Sequence, residues 1–261
     1  MSRILLLTDF GTRDGYPAAM KGVIWSIAPQ AEIADLTHDI PPQDVLAAAL
    51  TLGRTAPYFP AKTIFVAVVD PGVGTSRRPL AARLGAHLFA APDNGLLTVV
   101  LQKAERSGAP VELVQLDRPE YWLPQVCRTF HGRDIFAPVA AHLANGATLA
   151  ELGTPISDPI RLHLPEPRRT PGGWQGEVIH IDHFGNLATN LGSEHLPPAG
   201  EMEIHIRGER IVGVAAAYGE SPAGSLTALI DSAGALSIAV VNGSAAERLH
   251  ARVGEIVEIY R

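Results

Sequence analysis

The loop Val69-Asp70-Pro71-Gly72-Val73-Gly74-Thr75-Ser76-Arg77-Arg78 sets a carboxylate and two guanidiniums close together in the chain. It follows Thr63-Ile64-Phe65-Val66-Ala67-Val68, an apolar run that reads as a buried strand. Strand-end exits of this kind are where open α/β folds bind ligands. The two glycines allow a sharp turn and a close backbone approach. A carboxylate and a guanidinium held together there can orient a polarised water or an anion. The same residues also suit a surface turn with a solvated Asp–Arg pair.

Three other stretches carry chemistry-bearing side chains. Asp9, in Leu7-Thr8-Asp9-Phe10-Gly11, ends a second apolar run. A strand-end acid can accept from ribose hydroxyls or cap its own loop, and position alone does not separate the two. The Asp-Phe-Gly triplet lacks the glycine-rich loop, strand lysine and catalytic loop that accompany it in protein kinases. Phe130-His131-Gly132-Arg133-Asp134 introduces a helix. His131 stands just outside the N-terminus of that helix, where free N–H groups favour neutral imidazole. That form can bind or deprotonate a water, and the ring can equally serve as a cap. Asp182-His183-Phe184-Gly185-Asn186 can read an amine and an amide edge, or form a polar hairpin. The segments Asp231-Ser232-Ala233-Gly234 and Asn242-Gly243-Ser244 share that ambiguity.

Asp9, Asp14, His38, Asp39, Asp70 and His131 offer metal-type donors near element ends, but no HExxH or His-x-His spacing groups them. No metal is expected. Gly72-Val73-Gly74-Thr75 is not followed by a Gly-Lys-Ser/Thr sequence and is no phosphate loop. The single cysteine, Cys127, excludes an intrachain disulfide and reads as a buried, inert thiol.

The elements that must position these residues alternate. Strands are expected at Ile4–Thr8, Glu32–Thr37, Thr63–Val69 and Val111–Leu116, with a hairpin of Leu80–Leu84 and His87–Ala91 around Gly85. Helices are expected at Tyr16–Ile27, from Val45 to Leu52 or beyond with Asp44 as cap, at Leu96–Ala104, and at Gly132–Leu143, which Pro138 kinks or delays. This alternation argues an α/β N-terminal domain with a mostly parallel central sheet, residues 1–157. Residues 158–173 are rich in proline and read as a linker. From residue 174 to 261 the strands are short and the turns glycine-rich, which argues a small all-β barrel or sandwich. Its expected strands are Trp174–Ile181, Glu201–Arg207, Arg210–Val214, Leu226–Ile230, Leu236–Val240 and Glu255–Tyr260.

The chain's 261 residues suffice for a sizeable core, and 46% hydrophobic against 18% charged residues fits a globular protein. A net charge of −6 disfavours a nucleic-acid partner. No apolar stretch reaches membrane-spanning length, the N-terminal apolar run is too short for a signal peptide, and the expected location is cytoplasmic.

The motifs around Asp9, Asp70–Arg78, Pro92-Asp93-Asn94-Gly95-Leu96-Leu97, His131, Asp182–Asn186 and Asp231-Ser232, taken in order, resemble the S-adenosyl-L-methionine hydroxide adenosyltransferases, relatives of the fluorinases and chlorinases. The resemblance covers essentially the whole chain. It implies an α/β domain followed by a C-terminal β-barrel, and hydroxide attack on C5′ of S-adenosylmethionine to give adenosine and methionine without a cofactor. It implies a homotrimer, with each active site between the N-terminal domain of one subunit and the C-terminal domain of its neighbour.

Carried over by position, the water-activating set falls on Asp70, Arg77 and His131, and the ribose contact on Asp9. Asp182 matches the contact to the methionine amine, Asn186 the contact to adenine, and Ser232 a contact to the methionine carboxylate. Tyr218 falls near the aromatic that stacks on adenine, and Asn242 near the adenine edge. The halogenases have an arginine where Ala233 stands, so another donor, such as a backbone N–H, must serve the carboxylate. They have a tryptophan at Gln43 and an uncharged tyrosine at Asp70, where a carboxylate would repel halide. The alternatives are a halide transferase, a sensor that binds without turnover, and a metal-dependent hydrolase.

Overall fold

The computed structural model describes residues 2–197 and 202–261, which fall into two compact units, one ending at Leu162 and the other beginning at His163. The first unit runs β1 (Arg3–Thr8), α1 (Tyr16–Ile27), β2 (Glu32–Thr37), α2 (Val45–Thr55), β3 (Ile64–Val68), β4 (Pro79–Leu84), β5 (His87–Pro92), α3 (Thr98–Arg106) and β6 (Val111–Leu116). It continues through a π-helical turn (Gly132–Phe136), α4 (Ala137–Ala144), α5 (Leu149–Leu152) and β7 (Gly153–Pro155).

Its sheet has the order β2-β1-β3-β5-β4-β6-β7. The strand β3 is buried on both faces, which is why Ile64–Val68 reads as an unbroken apolar run. Alternate residues then face opposite layers. Ile4, Leu6, Val66 and Val68 pack with Met20 and Ile24 of α1 and Val139 of α4. Leu5, Leu7, Phe65 and Ala67 pack with Leu52 of α2 and Leu101 of α3.

The sheet is mixed rather than mostly parallel. Only β2, β1, β3 and β5 run parallel, and β4, β6 and β7 add antiparallel pairs. The Gly85-Ala86 connection is responsible, because a hairpin that short can only reverse the chain. The helix α5 and strand β7 escaped the sequence reading, although the reciprocal cap between Thr148 and Glu151 marks where α5 starts.

Pro138 falls in the first turn of α4, which the π-helical turn precedes. Proline has no N–H for the carbonyl four residues back, that of Asp134. This carbonyl accepts from Leu123 N–H instead, at 2.9 Å. The N–H of Ala137 reaches back to the Gly132 carbonyl.

Residues 158–162 are tied to the first unit. Ile160 N–H donates to Asp93 Oδ1 and Leu162 N–H to Thr98 Oγ1, at 2.8 and 2.9 Å. The second unit holds β8 (Arg168–Thr170), β9 (Gly173–Ile181), β10 (Leu187–Gly192), β11 (Glu203–Ile206), β12 (Glu209–Val212), β13 (Leu226–Ile230), β14 (Ala235–Val240), α6 (Ala245–Leu249) and β15 (Ile256–Tyr260).

Its antiparallel order is β12-β11-β15-β9-β10-β14-β13, with β8 added to β9. A bridge between Ala215 and Leu229 brings the segment after β12 to β13, so the sheet is nearly closed and barrel-like. Val178, Leu187, Ile204, Ile238 and Val257 lie in its core. Glu201, the first residue of one expected strand, lies outside the described residues. The strand β10 was obscured in the sequence by Thr189. That side chain is buried, and its hydroxyl donates to Leu236 O at 2.7 Å.

Candidate active site

The strand order explains where the first unit can hold a ligand. From β1 the chain crosses to β2 on one side, then returns to place β3 on the other. Successive crossovers on opposite faces open a crevice at the carboxyl ends of the two middle strands. Thr8 and Val68 are paired across β1 and β3, so Asp9 and Asp70 leave the sheet side by side at that point.

Asp70 and Arg77 form a buried charge pair, their side chains 5% and 8% exposed. Arg77 Nε donates to both carboxylate oxygens at 3.0 Å, and Nη2 donates to Oδ2. Nη2 also lies 2.9 Å from His131 Nδ1. An arginine N–H can only donate, so Nδ1 is the acceptor, and the neutral ring carries its proton on Nε2. His131 makes no side-chain cap bond, so the ring does not serve as a cap here. Burial and the Arg77 cation hold its pKa below the ordinary histidine range, against the opposing pull of the Asp70 and Asp134 carboxylates. Arg77 Nη1 is buried and has no hydrogen-bond partner among the described residues.

The surrounding chain fixes this cluster. Asn94 Nδ2 donates to the Val69 carbonyl at 2.8 Å, immediately before Asp70. The neighbour of Arg77, Arg78, is anchored on buried Asp93 and on Asp158. Gly74 has φ +77°, and a Cβ there would collide with the Arg128 carbonyl oxygen. A Cβ on Gly132 would stand 3.4 Å from Met20 Sδ and the Phe10 ring, an ordinary contact distance.

A cavity of about 450 Å³ opens onto the cluster, and Asp9, Gln43, Asp70 and His131 line it. Asp9 Oδ2 accepts from Gln43 N–H at 2.8 Å, leaving Oδ1 for another donor. The aromatic part of the lining was missed in the sequence. Phe10, Tyr16 and Phe130 meet edge to face with centroids 5.3–6.0 Å apart. The available signal was that each adjoins a chemical motif. His38 is buried, its Nδ1 2.8 Å from Thr8 Oγ1. Among the described residues no three His, Cys, Asp or Glu side chains gather as metal ligands would. Cys127 is partly exposed rather than buried, and its backbone N–H donates to Asp134 Oδ2 at 2.8 Å.

In the second unit, Asp182 shapes its own turn. Its Oδ1 accepts from Phe184 N–H and Asn186 N–H, both at 2.9 Å, and its Oδ2 accepts from Asn186 Nδ2. Asp231 repeats the arrangement with Ala233 and Ala235 N–H groups at 2.8 and 2.9 Å. The Ala233 N–H is thereby engaged and is not a spare donor. Burial raises the Tyr218 hydroxyl's pKa, with the Asp182 and Asp231 carboxylates adding to the effect. Ser232 and Asn242 are exposed on turns, Asn242 with φ 56°.

Two family models match in tandem: the SAM hydroxide adenosyltransferase N-terminal domain over residues 4–153 and its C-terminal domain over residues 176–258. The chain belongs to this family. It is 41% identical to the (R)-S-adenosyl-L-methionine hydrolase of Salinispora arenicola, covering 98% of this chain and 97% of that one. It is 31% identical to a fluorinase of an Actinoplanes species, covering 76% and 74%. A solved structure of a conserved Thermotoga maritima protein superimposes with a TM-score of 0.90 at 38% identity, covering 99% of this chain and 100% of that one. Within the family, this chain resembles the hydrolase more closely than the fluorinase, in both identity and coverage.

Proposed function

We propose that this chain hydrolyses S-adenosyl-L-methionine to adenosine and L-methionine by attack of a water-derived hydroxide on C5′ of the ribose. The carrying observation is the buried Asp70–Arg77–His131 cluster at the switch point of the sheet, beside the strand-end carboxylate of Asp9. The sulfonium leaves as a neutral thioether, so the reaction needs no general acid. What remains is to aim a nucleophile and remove its proton. Arg77 Nη1 and His131 Nε2–H supply two donors that hold the water and stabilise hydroxide as it forms. Asp70 Oδ1, which accepts a single bond from Arg77, supplies the lone pair that takes the proton. No cofactor is assigned.

Asp9 is assigned to the ribose hydroxyls, Asp182 to the substrate amine, Asn186 and Asn242 to adenine, Tyr218 to stacking on the base, and Ser232 to the methionine carboxylate. The proposed domains are residues 1–157 and 174–261; of the residues between them, 158–162 hydrogen-bond to the first and β8 pairs with the second. The proposed assembly is a trimer in which the N-terminal domain of one subunit and the C-terminal domain of the next complete each site, which sedimentation analysis tests. A cytoplasmic location accords with the substrate, and no helix among the described residues is long and apolar enough to cross a membrane.

The decisive experiment incubates the protein with substrate in halide-free, chelator-containing buffer made with ¹⁸O-water. Heavy oxygen at C5′ of adenosine with unlabelled methionine is the expected outcome. Turnover only on adding chloride, with a 5′-haloadenosine as product, would replace hydrolysis by halide transfer. Binding without product would leave a sensor.

A further inference from the structure

The mechanism above uses His131 but not the buried carboxylate three residues later. Asp134 is fully buried, within the π-helical turn that His131 introduces. Three donors converge on its side chain: Arg133 Nε at 2.6 Å, Arg133 Nη2 at 3.1 Å and Cys127 N–H at 2.8 Å. Its backbone carbonyl, released by Pro138, takes Leu123 N–H. Asp134 therefore ties the 123–127 segment to the turn through both side chain and backbone. That segment feeds directly into Thr129, Phe130 and His131, which line the cavity.

We propose that Asp134 is a positioning residue for His131: it locks the turn that presents the imidazole to Arg77. The charged groups around the ring come from two places. Arg77 and Asp70 belong to the loop after β3, and Asp134 to His131's own turn. Asp9 lines the same cavity, and Arg133 is the cation paired with Asp134. Arg77 opposes protonation of the ring, and Asp70 and Asp134 favour it. Asp134 and Asp70 thus both offset the Arg77 charge at the ring. Arg133 is partly exposed and limits how strongly Asp134 acts.

The proposal rests on the reading that a neutral His131 is needed, so its test has a readout independent of turnover. Asp134→Asn keeps the shape and removes the charge. Loss of a nearby carboxylate disfavours imidazolium, so the His131 pKa falls. An NMR titration of the His131 ring, assigned by the signal missing in His131→Asn, is expected to move to lower pH. The acid limb of the kcat profile is expected to move with it, and the plateau kcat to fall about tenfold as the turn loosens.

An unmoved ring titration together with an unchanged plateau kcat in Asp134→Asn overturns the proposal, as a purely structural carboxylate lowers thermal stability without moving either. A shifted ring titration with an unmoved kcat limb supports the positioning role and instead removes His131 from the mechanism. If Asp134→Asn does not fold, R133Q/D134N read against R133Q replaces it, since removing the pair together leaves no unpaired charge. The same two changes are expected there, and the absence of both counts against the proposal equally.

Discussion

The two units use carboxylates in opposite ways. Around Asp70 the carboxylate meets a guanidinium, both nearly excluded from water, and the pair reaches on to an imidazole. Around Asp182 and Asp231 the carboxylates fold back on backbone N–H groups of their own turns, with no cation bonded to them among the described residues. A buried ion pair is costly to assemble and strongly destabilised when one partner is removed. It is kept where a fixed field is useful, as beside a nucleophile. A carboxylate that bonds its own turn instead fixes loop shape and keeps lone pairs for a ligand's donors. On the proposed function, the comparison separates a chemical centre from a recognition surface.

The largest break in that comparison is expected at the charge cluster. Asp70→Asn and His131→Ala should each lower kcat by about 10²–10⁴-fold, measured as adenosine release under saturating substrate. Near-normal turnover in both variants would sink the assignment. The wild-type pH profile tests the same centre without mutation. His131 is held below the ordinary value of 6.5, so activity should persist beneath that pH and fall only as the ring protonates and sets an N–H against Arg77. An acid limb above it contradicts the geometry.

A smaller effect of a different kind is expected in the second unit. Asp182→Asn retains an acceptor for the turn while removing the charge. It should raise KM about ten- to a hundredfold with kcat changed little, because a charge-assisted contact to the substrate amine is lost. A kcat loss at unchanged KM would place Asp182 with the chemistry and dissolve the contrast. Next in size is Asn94→Ala, which leaves the Val69 carbonyl without its donor. Urea unfolding should show a loss of about 1–3 kcal/mol. The smallest is Ser244→Ala, which removes the hydroxyl cap of α6. About 1 kcal/mol of stability should be lost with turnover intact.

Much of the fold was legible because its pattern is local. Tyr16–Ile27, Glu32–Thr37 and Val111–Leu116 form the elements expected, and Asp44 caps α2 through Ala47 N–H. The strand β10 was missed where a polar residue is satisfied by a distant partner, as Thr189 is by Leu236. The site was partly legible for the same reason. Asp9 and Asp70 announce themselves by ending apolar runs, whereas Asn94 and Asp134 read as turn and helix residues until their partners are known.

By itself the sequence determined the alternating elements, the strand-end acids and the ordered motifs that mark the family, since these depend on residue type and short spacing. The tertiary structure decided the rest. It set β1 between β2 and β3, so that two strand ends share one crevice, and it made half the sheet antiparallel. It also joined His131 to Arg77 across 54 positions of chain and assigned the ring's proton to Nε2. Strand order and long-range contact arise from packing, where a single arrangement buries both faces of β3, and no local spacing encodes that choice.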